Sequence, residues 1–346
     1  MPSYQKNSIF LVLIVIIAFG VNIVPRNGRV ITAKDSIQSG RETLALVSLE
    51  SQAALHPKSE SLETEVKIGP ETALGNTHAL TEDGAFIAPL TSFEAPFIKR
   101  ANVFAPQIGA SIMLVADLES GTHYLERGVN RHWPIASITK LMTATIASEV
   151  FASSTAISVT KESFLKDPGA GSLYVKVDES YRALDLIRIM LTASDNVAAE
   201  ALAYAYGREN FMKKMNEQAK QWGMSQTYYY DPSGLSPVNQ SSGADLEKLA
   251  FRIFNRKGDV LSLSREAGVT VTELSAKRQY RVLPINMYAG RSDFLGGKTG
   301  FIDEAGGNLF SIFRVKGRPI LIVVLNSSAR FDDTTTLLAW FKDNYE

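Results

Sequence analysis

From residue 109 onward the chain falls into three blocks of apolar pattern, and their order limits its fold more than any other feature. The first block is extended: residues 110–116 are a short apolar run, Asp117-Leu-Glu-Ser-Gly-Thr122 has turn chemistry, and 123–126 reads as a returning strand, so the two make a hairpin. The middle block is helical. A helix beginning at Ser137 carries Ile138, Leu141, Met142, Thr145 and Ile146 along one buried side, and further helices are predicted over 181–192, 197–206 and 209–222, the last two stopped by Gly207 and Gly223. The stripe Phe211, Met215, Ala219 and Trp222 reads as core packing. The third block is extended again at 294–300, 308–315 and 319–325, followed by a helix over 333–342 with Asp332 or Asp333 as its N-cap. Strands on both sides of a helical insertion predict one antiparallel sheet whose edge strands come from both ends of the domain, with a helical subdomain beside it, an α+β architecture.

The 346 residues hold more than this domain. Residues 9–24 are apolar except at Gly20 and Asn22, but as a helix they rise only ~24 Å against the ~30 Å hydrocarbon core of a bilayer. One reading is a signal peptide, with 9–19 as its apolar region and small residues around Ala18-Phe-Gly20 for cleavage. The preferred reading over residues 1–26 is a retained anchor with Lys6 inside and Arg26 outside. Either places the rest of the chain outside the cytoplasm. Residues 27–100, rich in Ser, Thr, Glu, Ala and Gly for most of their length, read as a flexible stalk, and a coil of ~60 residues reaches roughly 45 Å. The apolar cluster from Phe86 to Ile98 is the part of that tract able to pack on the domain at 101–346.

The residues available for chemistry are few in kind. The chain has no cysteine, which excludes disulfides, thiol nucleophiles and Cys-type zinc sites. Its four histidines are His56, His78, His123 and His132, so a serine nucleophile would have to find its base elsewhere, and lysine is the candidate. Ser137-Ile-Thr-Lys140 places a hydroxyl and an amine one turn apart on a helix start. Buried beside a second cation, such a lysine loses affinity for its proton and works as a free amine, while the helix terminus favours an alkoxide. The pattern also occurs at Ser3/Lys6, Ser158/Lys161 and Ser163/Lys166, so it is not a site by itself. Two further segments give it company: Ser194-Asp-Asn196 between two helices, and Gly296-Gly-Lys298-Thr-Gly300 in the first returning strand. Singly these read as a helix cap and a lysine guarding a sheet edge. Lys plus Arg and Asp plus Glu are both 36, a balance that gives no argument for nucleic acid.

The ordered set Ser-x-x-Lys, Ser-Asp-Asn, Lys-Thr-Gly is that of penicillin-binding proteins and class A β-lactamases. Over residues 101–346 the chain resembles the D-alanyl-D-alanine carboxypeptidase family of low-molecular-mass penicillin-binding proteins, also through 190–199, 215–224, Asp231-Pro-Ser-Gly-Leu235 and 298–306. The resemblance implies a β-lactamase/transpeptidase-like fold, an antiparallel sheet flanked by helices plus an all-helical subdomain, with the cleft between them. It implies that Ser137 attacks a terminal D-Ala-D-Ala bond, that Lys140 takes its proton, that Ser194 relays a proton to the departing D-alanine, and that Asn196 holds Lys140 and a substrate amide. The oxyanion would meet the backbone N–H groups of Ser137 and Phe301. The substrate would lie along 298–300, its carboxylate bound by Lys298 and Thr299, with Gly300 leaving room for its approach. No cofactor or metal is called for. The expected activity is a serine-type carboxypeptidase working through an acyl-enzyme. Its expected partners are peptidoglycan stem peptides, β-lactams as covalent inhibitors, and a membrane through the N-terminal segment. Three rivals share the residues: an endopeptidase cutting peptide cross-links, a penicillin sensor without turnover, and a β-lactamase, for which no Glu-x-x-Leu-Asn segment occurs between Asn196 and Lys298.

Overall fold

The structure, a computed structural model, describes residues 97–100, 103–164, 171–255 and 260–346, together with the backbone of the short strands Val66–Ile68, Ala79–Leu80 and Phe86–Ile87. The apolar run 9–24 and most of the tract read as a stalk lie outside the described residues. Among the described residues no helix is long and apolar enough to cross a membrane.

The strands of the main sheet are β1 (Val66–Ile68), β2 (Ile112–Asp117), β3 (His123–Arg127), β4 (Phe294–Ile302), β5 (Gly306–Val315) and β6 (Arg318–Ser327). They form one sheet in the order β1-β3-β2-β6-β5-β4, antiparallel throughout, so strands from both ends of the domain meet where β2 pairs with β6. The helices are α1 (Lys140–Val150), α2 (Ala183–Thr192), α3 (Asn196–Tyr206), α4 (Arg208–Gln221), α5 (Gly243–Asn255), α6 (Val260–Ser264) and α7 (Arg330–Asn344).

Both faces of the sheet are buried, which is why β2 and β6 read as apolar runs instead of alternating patterns. Leu114, Ile312, Leu321 and Val323 face the helical subdomain, while Val115, Phe313, Ile322 and Val324 face α7 through Leu337 and Phe341. Each such side chain contributes roughly 2 kcal/mol by leaving water. Phe97 joins the second cluster, its ring edge-on to Phe341 at 5.0 Å, and Ile98 N–H donates to the Glu346 carbonyl at 2.9 Å. The chain is therefore already on the domain at 97–100.

Several expectations shift. The helix predicted from Ser137 begins at Lys140; Ser137 sits in a single 3₁₀ turn, Ala136–Thr139, ahead of it. Every residue from Lys140 to Ala147 is buried, with α1 packed against α2, α3, α4 and α6, so burial extends beyond the one side expected, while Ser137 ahead of the helix stays half-buried. The helix predicted over 181–192 starts at Ala183 because Ser180–Arg182 pairs with Ala156–Ser158. The last helix starts at Arg330 without a side-chain cap. Asp333 instead accepts the Ser327 hydroxyl at 2.6 Å and the Gly109 N–H at 3.3 Å, pinning the end of β6.

Candidate active site

The first turn of the site is held from two sides. Asn308 Nδ2 on β5 donates to the Pro134 carbonyl at 2.9 Å, and Ile135 N–H donates to the Asn239 carbonyl at 3.0 Å. Between these ties and α1, Ala136 takes a left-handed conformation at φ 48°. That costs a residue with a Cβ roughly 1–2 kcal/mol, and it persists because the surroundings over-determine it. The turn leaves Ser137 half-buried at the mouth of the cleft and carries Lys140, fully buried, beneath it.

Lys140 Nζ has three partners: Ser137 Oγ at 2.9 Å, Asn196 Oδ1 at 2.7 Å and the Ser233 carbonyl at 2.5 Å. Two of these only accept, and the third is a hydroxyl that can donate or accept. A neutral amine has two N–H groups and one lone pair. With both N–H groups on the carbonyls, the lone pair is left for the Ser137 hydroxyl. Burial pulls the lysine down to about 8, opposed by Asp231, Asp195 and Glu200. About a tenth of it is then uncharged at pH 7, against a negligible fraction for a lysine in water.

The turn between α2 and α3 serves as cap and site together. Asp195 caps α3, its Oδ1 accepting from Ala198 N–H at 2.9 Å, and its other oxygen takes the Ser172 hydroxyl. Burial holds its carboxyl above the usual range, with the Ser172 bond opposing. Ser194, left-handed at φ 59°, and Asn196 flank that cap. Asn196 reaches Lys140; Ser194 reaches the other lysine.

Lys298 on β4 is buried, and its Nζ donates to Ser194 Oγ at 2.8 Å and to the Thr299 carbonyl at 3.0 Å, with Thr299 Oγ1 at 3.5 Å. Burial pushes it well below the ordinary lysine range, and the charged groups that act on it, Lys140 and Arg330, are both cations. An incoming carboxylate would supply the missing counter-charge. β4 closes one edge of the sheet, the position at which an extended peptide can add as a further strand. Gly300 lets it lie close to the turn: a Cβ there would stand 2.7 Å from the Ile135 carbonyl oxygen and 3.3 Å from Ser137 N. Arg330 Nη1 fixes the Gly300 carbonyl at 3.2 Å.

The fold thus gathers Ser137, Lys140, Ser194, Asn196, Lys298, Thr299 and Gly300. The Phe301 side chain is exposed, and with Met287 and Arg330 it lines a separate cavity of about 550 Å³. Two participants had no role in the sequence reading. Arg330 has no motif and comes from the far end of the domain. The Ser233 carbonyl lies in Asp231-Pro-Ser-Gly-Leu235, whose Asp-x-Ser-Gly order is an Asx-turn signal.

A sequence profile of the family described as D-alanyl-D-alanine carboxypeptidase matches residues 99–329. A Haemophilus influenzae protein named D-alanyl-D-alanine endopeptidase is 38% identical over 204 residues, 57% of this chain and 68% of that one. An Escherichia coli protein of the same name is 29% identical over 246 residues, 68% of this chain and 78% of its own. The Escherichia coli D-alanyl-D-alanine carboxypeptidase DacC is 25% identical over 259 residues, 70% of this chain and 64% of its own. Among solved structures, penicillin-binding protein D2 from Listeria monocytogenes in its cefotaxime-bound form superposes with a TM-score of 0.61 at 30% identity, covering 68% of this chain and 98% of its own. The D-alanyl-D-alanine carboxypeptidase of Mycobacterium tuberculosis shares the fold, with a TM-score of 0.63 at 23% identity over 70% of this chain and 95% of its own.

Proposed function

This chain belongs to the D-alanyl-D-alanine carboxypeptidase family of serine-type peptidases and has the fold of the penicillin-binding proteins, and from that premise we propose that it removes the terminal D-alanine from peptidoglycan stem peptides. The contact that carries this reading is the Lys140 amine on the Ser137 hydroxyl, with its two other partners restricted to accepting. Ser137 Oγ attacks the carbonyl carbon of the penultimate D-alanine while its proton passes to Lys140. The tetrahedral oxyanion is met by the N–H groups of Ser137 and Phe301. The C–N bond then breaks, and the leaving nitrogen takes a proton through Ser194, which Lys298 holds in place. Lys298 and Thr299 bind the carboxylate of the departing residue. Water attacks the acyl-enzyme and returns the hydroxyl to Ser137. A β-lactam enters by the same first step.

A second reading, cleavage of peptide cross-links, is favoured by the names of the Haemophilus influenzae and Escherichia coli relatives. In a cross-link through a diamino acid whose amine and a carboxylate share one carbon, the scissile bond again has a D-alanyl carbonyl on one side and an α-carboxylate on the other. Lys298 is suited to both. The apolar run at 9–24 supports an extracytoplasmic location, tethered at the N-terminus or released after cleavage. Incubation with a pentapeptide and with a cross-linked dimer, followed by mass spectrometry, tests the assignment. Loss of D-alanine from the first is expected, and cleavage of neither would overturn it.

A further inference from the structure

The carbonyl that Lys140 leans on belongs to a loop organised by one buried carboxylate. Asp231 Oδ1 accepts Ser233 N–H at 2.8 Å, the Ser233 hydroxyl at 2.7 Å and Gly234 N–H at 2.6 Å; Oδ2 accepts Ser236 N–H at 2.9 Å and Asn239 Nδ2 at 2.7 Å. Five donors on one side chain fold 231–239 into a single shape. The loop is then stapled to α1 at consecutive carbonyls: Thr143 Oγ1 donates to Pro232 O at 2.6 Å, and Lys140 Nζ to Ser233 O at 2.5 Å. Gly234, at φ 80°, packs so tightly against the first turn of the site that a Cβ would lie 2.0 Å from the Ala136 carbonyl oxygen and 2.9 Å from Ser137 N. Of the loop's groups, the Ser233 carbonyl bonds Lys140 directly, and the others fix that carbonyl.

We propose that Asp231 is a positioning residue for the acylation step: by folding this loop it holds the Ser233 carbonyl on Lys140 and so determines that the amine's lone pair, and not an N–H, faces Ser137. The inference rests on the reading of Ser137 as nucleophile and Lys140 as base. The amine can take a proton only along its lone pair, and two fixed acceptors leave that pair one direction. Without the Ser233 carbonyl, an N–H could turn to Ser137 and block the transfer. The Asp231 charge has a second effect. Burial holds Asp231 up, but the bonds from Ser236, Ser233 and Gly234 outweigh it and keep the carboxylate ionised. Of the carboxylates that oppose the burial of Lys140, Asp231 acts most strongly, ahead of Asp195 and Glu200 on α3; Glu200 is itself paired with Arg208 at 2.8 Å, and Lys298 faces the site as a second amine from β4. Asp231 thus fixes the direction of the amine and, against the burial that lowers its affinity for a proton, raises the pH at which it is free.

The test is the rate of acylation by a fluorescent penicillin as a function of pH, each rate normalised to the fraction of molecules labelled at completion. For Asp231→Asn the plateau rate is expected to fall by about tenfold or more, the size of losing one fixed hydrogen-bond partner of the reacting group. The acid limb is expected to move to lower pH, because Lys140 loses a neighbouring negative charge. A plateau and limb coincident with wild type overturn the proposal, as does a lower plateau with an unmoved limb, which is what mere damage to the fold would give. Should that variant not fold, the exchanged pair D231N/N239D keeps one carboxylate facing one amide and is measured in the same way. A displaced limb there supports the proposal and a wild-type profile overturns it. Ser137→Ala in the same assay separates the two levels: labelling that survives it defeats the underlying reading, whereas labelling lost there beside wild-type behaviour of Asp231→Asn defeats only this inference.

Discussion

Lys298 Nζ and Ser194 Oγ stand 2.8 Å apart, so the edge strand of the sheet and the turn between α2 and α3 meet across the cleft through one hydrogen bond. The bond joins the two parts of the domain, and the charged groups that act on the buried lysine, Lys140 and Arg330, are both cations. A carboxylate arriving there completes the pair.

Lys298→Ala should therefore discriminate between substrates. We expect kcat/KM on a peptide ending in free D-alanine to fall by about 10²-fold or more, the usual loss on truncating one partner of a buried charge-assisted contact. The same peptide amidated at its C-terminus should lose far less. Equal losses on the two peptides would remove the carboxylate role.

The pH dependence of acylation follows from Lys140, whose value falls from 10.5 to about 8, chiefly through burial. Only the uncharged amine accepts the serine proton. Acylation should therefore rise about tenfold per pH unit through the acid range and flatten above a midpoint near this value. Stopped-flow labelling with a β-lactam measures it, and a rate that falls on raising the pH through neutrality would contradict the assignment of the base.

Gly300→Ala should uncouple folding from reaction. Its Cβ would sit 2.7 Å from the Ile135 carbonyl oxygen and 3.2 Å from the Ala136 Cβ, so β4 must retreat from the nucleophile's turn. A stability loss of about 1–3 kcal/mol is expected, with the acylation rate down by more than about 10²-fold. Thermal unfolding and labelling kinetics on one preparation give both quantities.

A substitution remote from the cleft should do the reverse. Asp117 at the end of β2 is fully buried, where it accepts Arg318 Nε at 2.6 Å and Nη2 at 3.1 Å, together with Glu119 N–H at 2.8 Å and Ser120 N–H at 3.2 Å. Asp117→Ala should cost about 3 kcal/mol, read by denaturant unfolding, because it strands those donors. The acylation rate per folded molecule should be unchanged.

The strands, the helical middle and the three motif segments were legible in the sequence because side-chain type and period carry them. Leu114, Val115, Ile322 and Val323 announce β2 and β6 whichever face they bury, and Ser137, Lys140, Ser194, Asn196 and Lys298 meet through side chains that a sequence displays. The Ser233 carbonyl is different, since every residue has one and only the folded loop shows which is aimed at Lys140. Arg330 was equally hidden, because its use depends on where α7 begins relative to β4. The burial of the rest of α1 is not legible because Lys140 and Thr143 interrupt its apolar pattern, and their partners, such as the Pro232 carbonyl for Thr143, come from other elements. Asp333, a cap candidate by sequence, accepts instead from the Ser327 hydroxyl at the end of β6 and from the distant Gly109 N–H.

The central claim is that the hydroxyl at 137 is what the amine at 140 activates. Fluorescent-penicillin labelling of Ser137→Ala beside the wild-type protein, with both shown to be folded by circular dichroism, tests it most directly. No covalent label on the variant is the result this account predicts. Labelling at the wild-type rate would contradict it.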